Sequence, residues 1–233
     1  KPVPNLAITC HNRIPLARGL GSSAAAVAGG LVAANELLGQ PLSAEELLQV
    51  GAKLEGHGDN IAPALFGGCQ VVYQESGSYF NAPIPVPTNL RAVVFIPDFA
   101  MSTAQARNIL PAQAPRSDVV FNLGRVALLT LALSTGKLEY LKVATQDRLH
   151  QPARQEALFP AMGAIFQAAL EAGALGVFLS GAGSTILALT RGEGLDNAIG
   201  QAMQSAAAKA GVSGRVQLAW PSLQGTHRVG NSA

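Results

Sequence analysis

The sequence predicts an α+β sandwich, and three observations carry that prediction. Strand-like apolar runs and helical patterns follow one another as strand, helices, strand, strand, helix, strand, a split β-α-β layout with extra helices inserted. Two glycine loops, "GLGSS" and "SGAGS", stand next to these runs at positions where a chain must turn tightly. The composition is that of a buried globule: 233 residues, 48% hydrophobic, 13% charged, with a mean hydropathy of +0.26.

Residues 5–11 mix β-branched and alternating positions and predict a first strand, followed by Pro15 and the glycine elbow. The small apolar run after Ser22 predicts a long helix buried on nearly every side, with close backbone packing compensating the loss of helix stability at Gly29 and Gly30. Gly39 suits its C-terminal cap, and Ser43 with Glu46 forms a capping-box pattern for a second helix that reaches Glu55. "GHGDNIAPALFGG" predicts a loop with a short helical turn, and residues 69–74 a strand. Between Ser76 and Asn89 the alternating Pro83, Pro85 and Pro87 predict a crossing linker, so a lobe boundary is placed between residues 88 and 89. Beyond it come a strand at "RAVVFIP" and a helix start with Ser102 and Gln105 in capping-box register. Helices are predicted over 118–133, 137–149 and 155–172, and strands "GVFLS" and "TILAL" flank the second glycine loop. A helix over 195–210 and a strand over 215–219 close the pattern.

A net charge of +2 without a basic run or aromatic-basic interleaving gives no nucleic-acid face. Cys10 and Cys69 have no C-x-x-C spacing, which speaks against metal clusters and disulfide frameworks and for a reduced, cytoplasmic setting. The apolar stretch over 24–34 is too short to span a bilayer, and no signal peptide is read, so no membrane partner is expected.

The elbow at Gly19–Ser23 is the first candidate site. A helix start carries unpaired N–H groups and partial positive charge, so a glycine-rich approach to it suits phosphate. No lysine follows the last glycine as in a Walker loop, so main-chain N–H groups would do the holding. Ser22 and Ser23 offer one hydroxyl for capping and one for a magnesium ion; tight packing alone is the alternative use of the same elbow. Glu55 is a candidate carboxylate for that ion, or a solvated helix-end residue, and Gln49 and Lys53 share its helix. His57, Asp59 and Asn60 form a polar cluster that would suit a substrate hydroxyl or an Asx turn.

The string "PLARGLGSSAAA" resembles the second signature of the GHMP superfamily of small-molecule kinases, and "LSGAGSTILAL" resembles its third. Within that superfamily, "EGHGDNIAPALFGG", "FIPDFAMSTAQARNILP" and "QPARQEALFP" resemble the homoserine kinase family. The resemblance implies a two-lobed fold with an S5-like first lobe and a ferredoxin-like second lobe, and ATP-dependent phosphorylation of the L-homoserine hydroxyl with Mg2+. It implies that Arg18, Gly19, Leu20, Gly21, Ser22, Ser23 and Ala24 hold the nucleotide phosphates, and that Ser23 and Glu55 contact the metal. His57, Asp59, Asn60, Thr103, Arg107, Arg154, Gly181 and Gly183 fall at the amino-acid site, Asp59 and Asn60 being the catalytic pair. The forked guanidinium of arginine suits a substrate carboxylate, although by themselves Arg107 and Arg154 read as helix-surface charges. Homodimers are common in the superfamily, so a homodimer is expected.

Two departures qualify the resemblance. Nothing in the sequence matches the superfamily's first signature, a "P-x-x-x-N-L-G"-like strand and turn, so the first lobe is expected to lack its start, roughly a quarter of the usual two-lobed plan. Ser184 stands where the third signature often has proline. The alternatives are another GHMP kinase acting on mevalonate, shikimate or a sugar, a fragment that retains only phosphate binding, and a non-catalytic binding module.

Overall fold

A computed structural model describes residues 5–192 and 194–230. The chain divides into two compact units, one built on Gly21–Pro83 with the described parts of both termini, the other on Leu16–Leu20 and Ile84–Pro221.

The first unit packs α1 (Ser22–Leu37), α2 (Ala44–Glu55) and α3 (Ile61–Phe66) beside a hairpin of β1 (Cys69–Glu75) and β2 (Ser78–Ile84). Its core joins Ala24 and Ala28 to Leu47, Leu48, Ile61, Ala62 and Leu65. The capping box at α2 is present in full: the Ser43 hydroxyl accepts from Glu46 N while the Glu46 carboxylate accepts from Ser43 N. The N–H groups of Ser43 and Glu46 at the α2 start are therefore satisfied locally.

Three expectations for this region are corrected. Residues 5–13 form no strand and are exposed, with Leu6 and Ile8 in solvent, so among the described residues their alternating pattern has no sheet against which to pair. The α1 helix buries only Ala24 and Ala28, and among the described residues a Cβ placed on Gly29 or Gly30 would meet nothing within 4 Å, so no close packing from them compensates those glycines. The region 76–89 is not a plain linker, because β2 occupies half of it, with Gly77 (φ 81°) making the hairpin turn and Pro83 near the strand end.

The second unit is built on an antiparallel four-stranded sheet of β3 (Arg91–Pro97), β4 (Gly176–Leu179), β5 (Ile186–Thr190) and β6 (Gly214–Ala219), in the order β4-β5-β3-β6. This is the expected ferredoxin-like split β-α-β sheet. Val93, Phe95, Val177, Ile186 and Ala188 form its buried side with Ile165, Ala169, Ile199 and Met203 from α8 (Met162–Glu171) and α9 (Asp196–Lys209).

The inserted helices are α4 (Thr103–Asn108), α5 (Arg116–Thr135), α6 (Leu141–Ala144) and α7 (Gln151–Ala157). The helix predicted over 137–149 shortens to a 3-10 turn at Leu138–Tyr140 and α6, and the one over 155–172 divides into α7 and α8 around Pro160, which cannot continue a helix. Outside the apolar stretch over 24–34, α5 is by length and composition long and apolar enough to cross a membrane, although Arg125 lies near its middle with its guanidinium 3.8 Å from the centre of the Phe121 ring.

Candidate active site

In the first unit, α1 begins at Gly21 in a left-handed conformation (φ 72°), which only glycine adopts without strain, and no side chain caps the helix. Its first N–H groups are therefore left for an outside acceptor, the state in which a helix start attracts an anion. Ser23, in the first turn, donates its hydroxyl to Glu55 Oε1 at 2.5 Å, and Glu55 is the last residue of α2 before Gly56 (φ 79°) ends that helix. Of the polar residues beside Glu55, Gln49 is engaged elsewhere: its amide donates to Tyr79 O and accepts from Tyr79 N, fastening α2 to β2.

His57 Nδ1 lies 2.6 Å from Asp59 Oδ1 but off the hydrogen-bonding line, so that buried nitrogen lacks an aligned partner. Asp59 is largely exposed and its carboxylate accepts from Asn60 N at 2.9 Å, a contact to the next residue that is shorter in reach than an Asx turn. Asn60 faces the helix elbow, for a Cβ placed on Gly21 would stand 4.0 Å from Asn60 Oδ1. Among the described residues there is no group of three or more His, Cys, Asp or Glu that could hold a metal alone. The Ser23–Glu55 pair nevertheless fits Mg2+, which takes oxygen donors, one or two carboxylates, and completes its shell with phosphate and water.

In the second unit, the two glycine loops meet. Gly19 (φ 73°) donates nothing from a side chain but accepts from the Ser180 hydroxyl at 2.8 Å, and Thr185 N donates to Arg18 O at 3.1 Å. A Cβ on Gly19 would collide with the Ser180 carbonyl oxygen and stand 2.9 Å from Gly183 N. Gly181 (φ 51°) and Gly183 (φ 98°) also need left-handed backbone, so both ends of this contact require glycine. The Arg18 guanidinium is occupied by carbonyl oxygens of Leu16, Ala17, Pro97 and Asp98. Its contribution here is to brace the elbow against the end of β3. Leu20 joins Gly19 to Gly21, and Ala24 is buried in the α1 core.

Arg154, on α7, is 9% exposed, and its guanidinium donates to Ala106 O at 3.2 Å and to Gly181 O at 2.8 Å. Burial lowers its pKa from the ordinary arginine value; Asp147 opposes that effect and the charge of Arg107 adds to it. Arg107 is exposed on α4, one residue from Ala106, and Thr103 opens the same helix behind the Ser102 cap, whose hydroxyl accepts from Gln105 N. Among the described residues no carboxylate forms an ion pair with Arg107 or Arg154. Two neighbouring guanidinium groups of this kind have the chemistry to pair with a carboxylate.

Sequence reasoning missed Ser180, Asp147 and Gln151. Asp147 accepts from Gln151 N and His150 N just before α7, and Pro152 sits in the first turn of that helix. An acidic residue ahead of an early helical proline was the available signal. A cavity of about 630 Å³ in this unit, bordered by Lys142, Asp147, Gln151 and Met162, includes none of the residues singled out from the sequence.

Residues 1–68 match the GHMP kinases N terminal domain and residues 132–210 the GHMP kinases C terminal domain, so fold and glycine loops together define a GHMP kinase. The chain is 45% identical to the homoserine kinase of Microchaete diplosiphon, over 92% of its own length and 69% of that protein's. It is 46% identical to the homoserine kinase of Carboxydothermus hydrogenoformans, over 95% and 71% of the two lengths. The crystal structure of homoserine kinase from Cytophaga hutchinsonii superposes with a TM-score of 0.83 at 35% identity, over 92% of this chain and 69% of that one. The chain belongs to the homoserine kinase family.

Proposed function

We propose that the chain transfers the γ-phosphoryl group of ATP to the side-chain hydroxyl of L-homoserine, giving O-phospho-L-homoserine, a step of threonine biosynthesis. The observation that carries this reading is the start of α1: N–H groups without a side-chain cap, beside a Ser23 hydroxyl hydrogen-bonded to Glu55. Main-chain N–H groups of Gly19–Ser23 hold the polyphosphate, and Ser23 with Glu55 would hold Mg2+. Bound there, the ion supplies charge neutralisation to the phosphate oxygens.

Arg107 and Arg154 take the carboxylate of the amino acid, a role supported by their shared lack of an ion-pair partner among the described residues. Thr103 stands on the same short helix as Arg107, and Gly181 and Gly183 shape the loop that receives Arg154. His57, Asp59 and Asn60 orient the hydroxyl. The hydroxyl oxygen bonds to the γ-phosphorus as the bond from that phosphorus to the β,γ-bridging oxygen breaks; ADP leaves, and the hydroxyl proton passes to the transferred phosphoryl group. A loose transition state demands little base strength, so Asp59 serves by position.

A coupled ADP-release assay of the chain against a panel of acceptor alcohols tests this. L-homoserine is expected to be the preferred acceptor, and preferred turnover of mevalonate, shikimate or a sugar would overturn the assignment. The same reading expects a homodimer, checked by sedimentation velocity.

A further inference from the structure

The orientation of Arg154 depends on how α7 begins, and packing does not hold that beginning on every side. The cavity of about 630 Å³ lies against it, bordered by Asp147 and Gln151 themselves. Hydrogen bonds hold it instead. Asp147 Oδ2 accepts from Gln151 N at 2.5 Å and from His150 N at 2.8 Å. Asp147 Oδ1 accepts from Leu149 N at 3.1 Å and from the Asn122 amide of α5 at 2.6 Å, and lies 3.1 Å from His150 Nδ1. Asn122 returns the contact by accepting from Arg148 N at 3.0 Å. Gln151 carries the tie onward, its amide oxygen accepting from Leu179 N at the end of β4. Arg154 lies three residues further along the same helix and grips α4 at Ala106 and the glycine loop at Gly181.

Resting on the reading of Arg154 as a carboxylate-binding group, we propose that Asp147 is a positioning residue for substrate recognition: by fastening the start of α7 to α5 it aims the Arg154 guanidinium. Asp147→Asn replaces one acceptor oxygen with an NH2 that must face donors, so it loosens the clamp at nearly unchanged volume.

The test uses the full chain labelled with 15N and follows the Arg154 Nε–H resonance, assigned by its disappearance in Arg154→Lys. In Asp147→Asn that resonance is expected to shift and to exchange with water at least about tenfold faster, while the dispersion of the methyl signals stays that of the folded protein. In parallel, kcat/KM for L-homoserine is expected to fall by about 10- to 100-fold, KM for ATP to change by no more than about twofold, and turnover of 3-aminopropan-1-ol, which has no carboxylate, to hold. Asn122→Ala, which removes a single donor to Asp147, gives the same pattern in smaller measure and serves if the first variant does not fold. An unmoved Arg154 resonance in a folded variant, or equal loss with both alcohols, overturns the proposal. A parent chain that fails to turn over L-homoserine overturns the functional reading instead, and the resonance still decides the role of Asp147.

Discussion

The Ser23 hydroxyl donates to Glu55 Oε1 at 2.5 Å, joining the first turn of one helix to the last residue of the next across 32 positions of sequence. Glu55→Gln keeps the size of the side chain and removes its charge. We expect kcat/KM to fall by about 10²–10³-fold in a coupled ADP assay, the order seen when an electrostatic contact to a reacting group is lost. Because Ser23 is exposed and Glu55 only half-buried, the thermal midpoint should hold, with a stability change within about 0.5 kcal/mol. Activity retained at the parent level would remove Glu55 from the phosphate-transfer machinery.

Gly19 and Gly30 should respond in opposite ways to alanine. At Gly19 the left-handed backbone and the collision with the Ser180 carbonyl add, and we expect a loss of at least about 2 kcal/mol in urea unfolding. At Gly30, inside α1 with open space around its Cα, the same change should gain up to about 1 kcal/mol from helix propensity. A neutral Gly19→Ala would mean that the two glycine loops do not meet as described.

Arg107→Lys keeps the charge and removes the forked geometry. Since Arg107 is exposed, folding should be unaffected, while KM for L-homoserine should rise by about tenfold, the equivalent of one charge-assisted hydrogen bond. A rise in KM for ATP of the same size would place Arg107 at the nucleotide instead.

Burial by itself would raise the Asp147 carboxyl, yet the hydrogen bonds from His150, Gln151 and Asn122 outweigh it and hold that carboxyl well below the usual carboxylate range. A depressed folded pKa stabilises the protein fully above the unfolded value of about 4, and the stabilisation is lost as pH falls through the range down to the folded value. The stability difference between parent and Asp147→Asn, from urea curves, should therefore be complete at about pH 7 and reduced at about pH 3. A difference that grows toward acid would contradict the assignment.

Burial pushes the half-buried Cys69 thiol up in pKa, whereas Cys10 is exposed. A disulfide reagent at about pH 8 should label one thiol quickly and the other slowly, with the fast phase absent from Cys10→Ser and retained in Cys69→Ser. Two equal fast phases in the native chain would place Cys69 in open solvent.

Elements with strong local signals were legible from sequence. The Ser43–Glu46 capping box, the Ser102 cap and the unbroken apolar run that follows Arg91 up to Pro97 each act within a few residues, so their consequences did not depend on distant chain. The strand expected over 5–11 failed because an alternating pattern states only that a strand could pair, and among the described residues no strand pairs with it. The long helix expected over 155–172 failed because Pro160 weighs more than the apolar period that runs through it.

The sequence by itself determined the split β-α-β order, the turns that only glycine can make, and the residue types able to meet phosphate and carboxylate, since these follow from backbone sterics and side-chain chemistry. Only tertiary structure decided that Gly19 touches Ser180 and Gly183, that Arg18 braces carbonyls, and that Arg154 is buried with its guanidinium on the carbonyls of Ala106 and Gly181. Such relationships join residues far apart in the chain, and the geometry that sets them is a property of the packed fold that no local pattern carries.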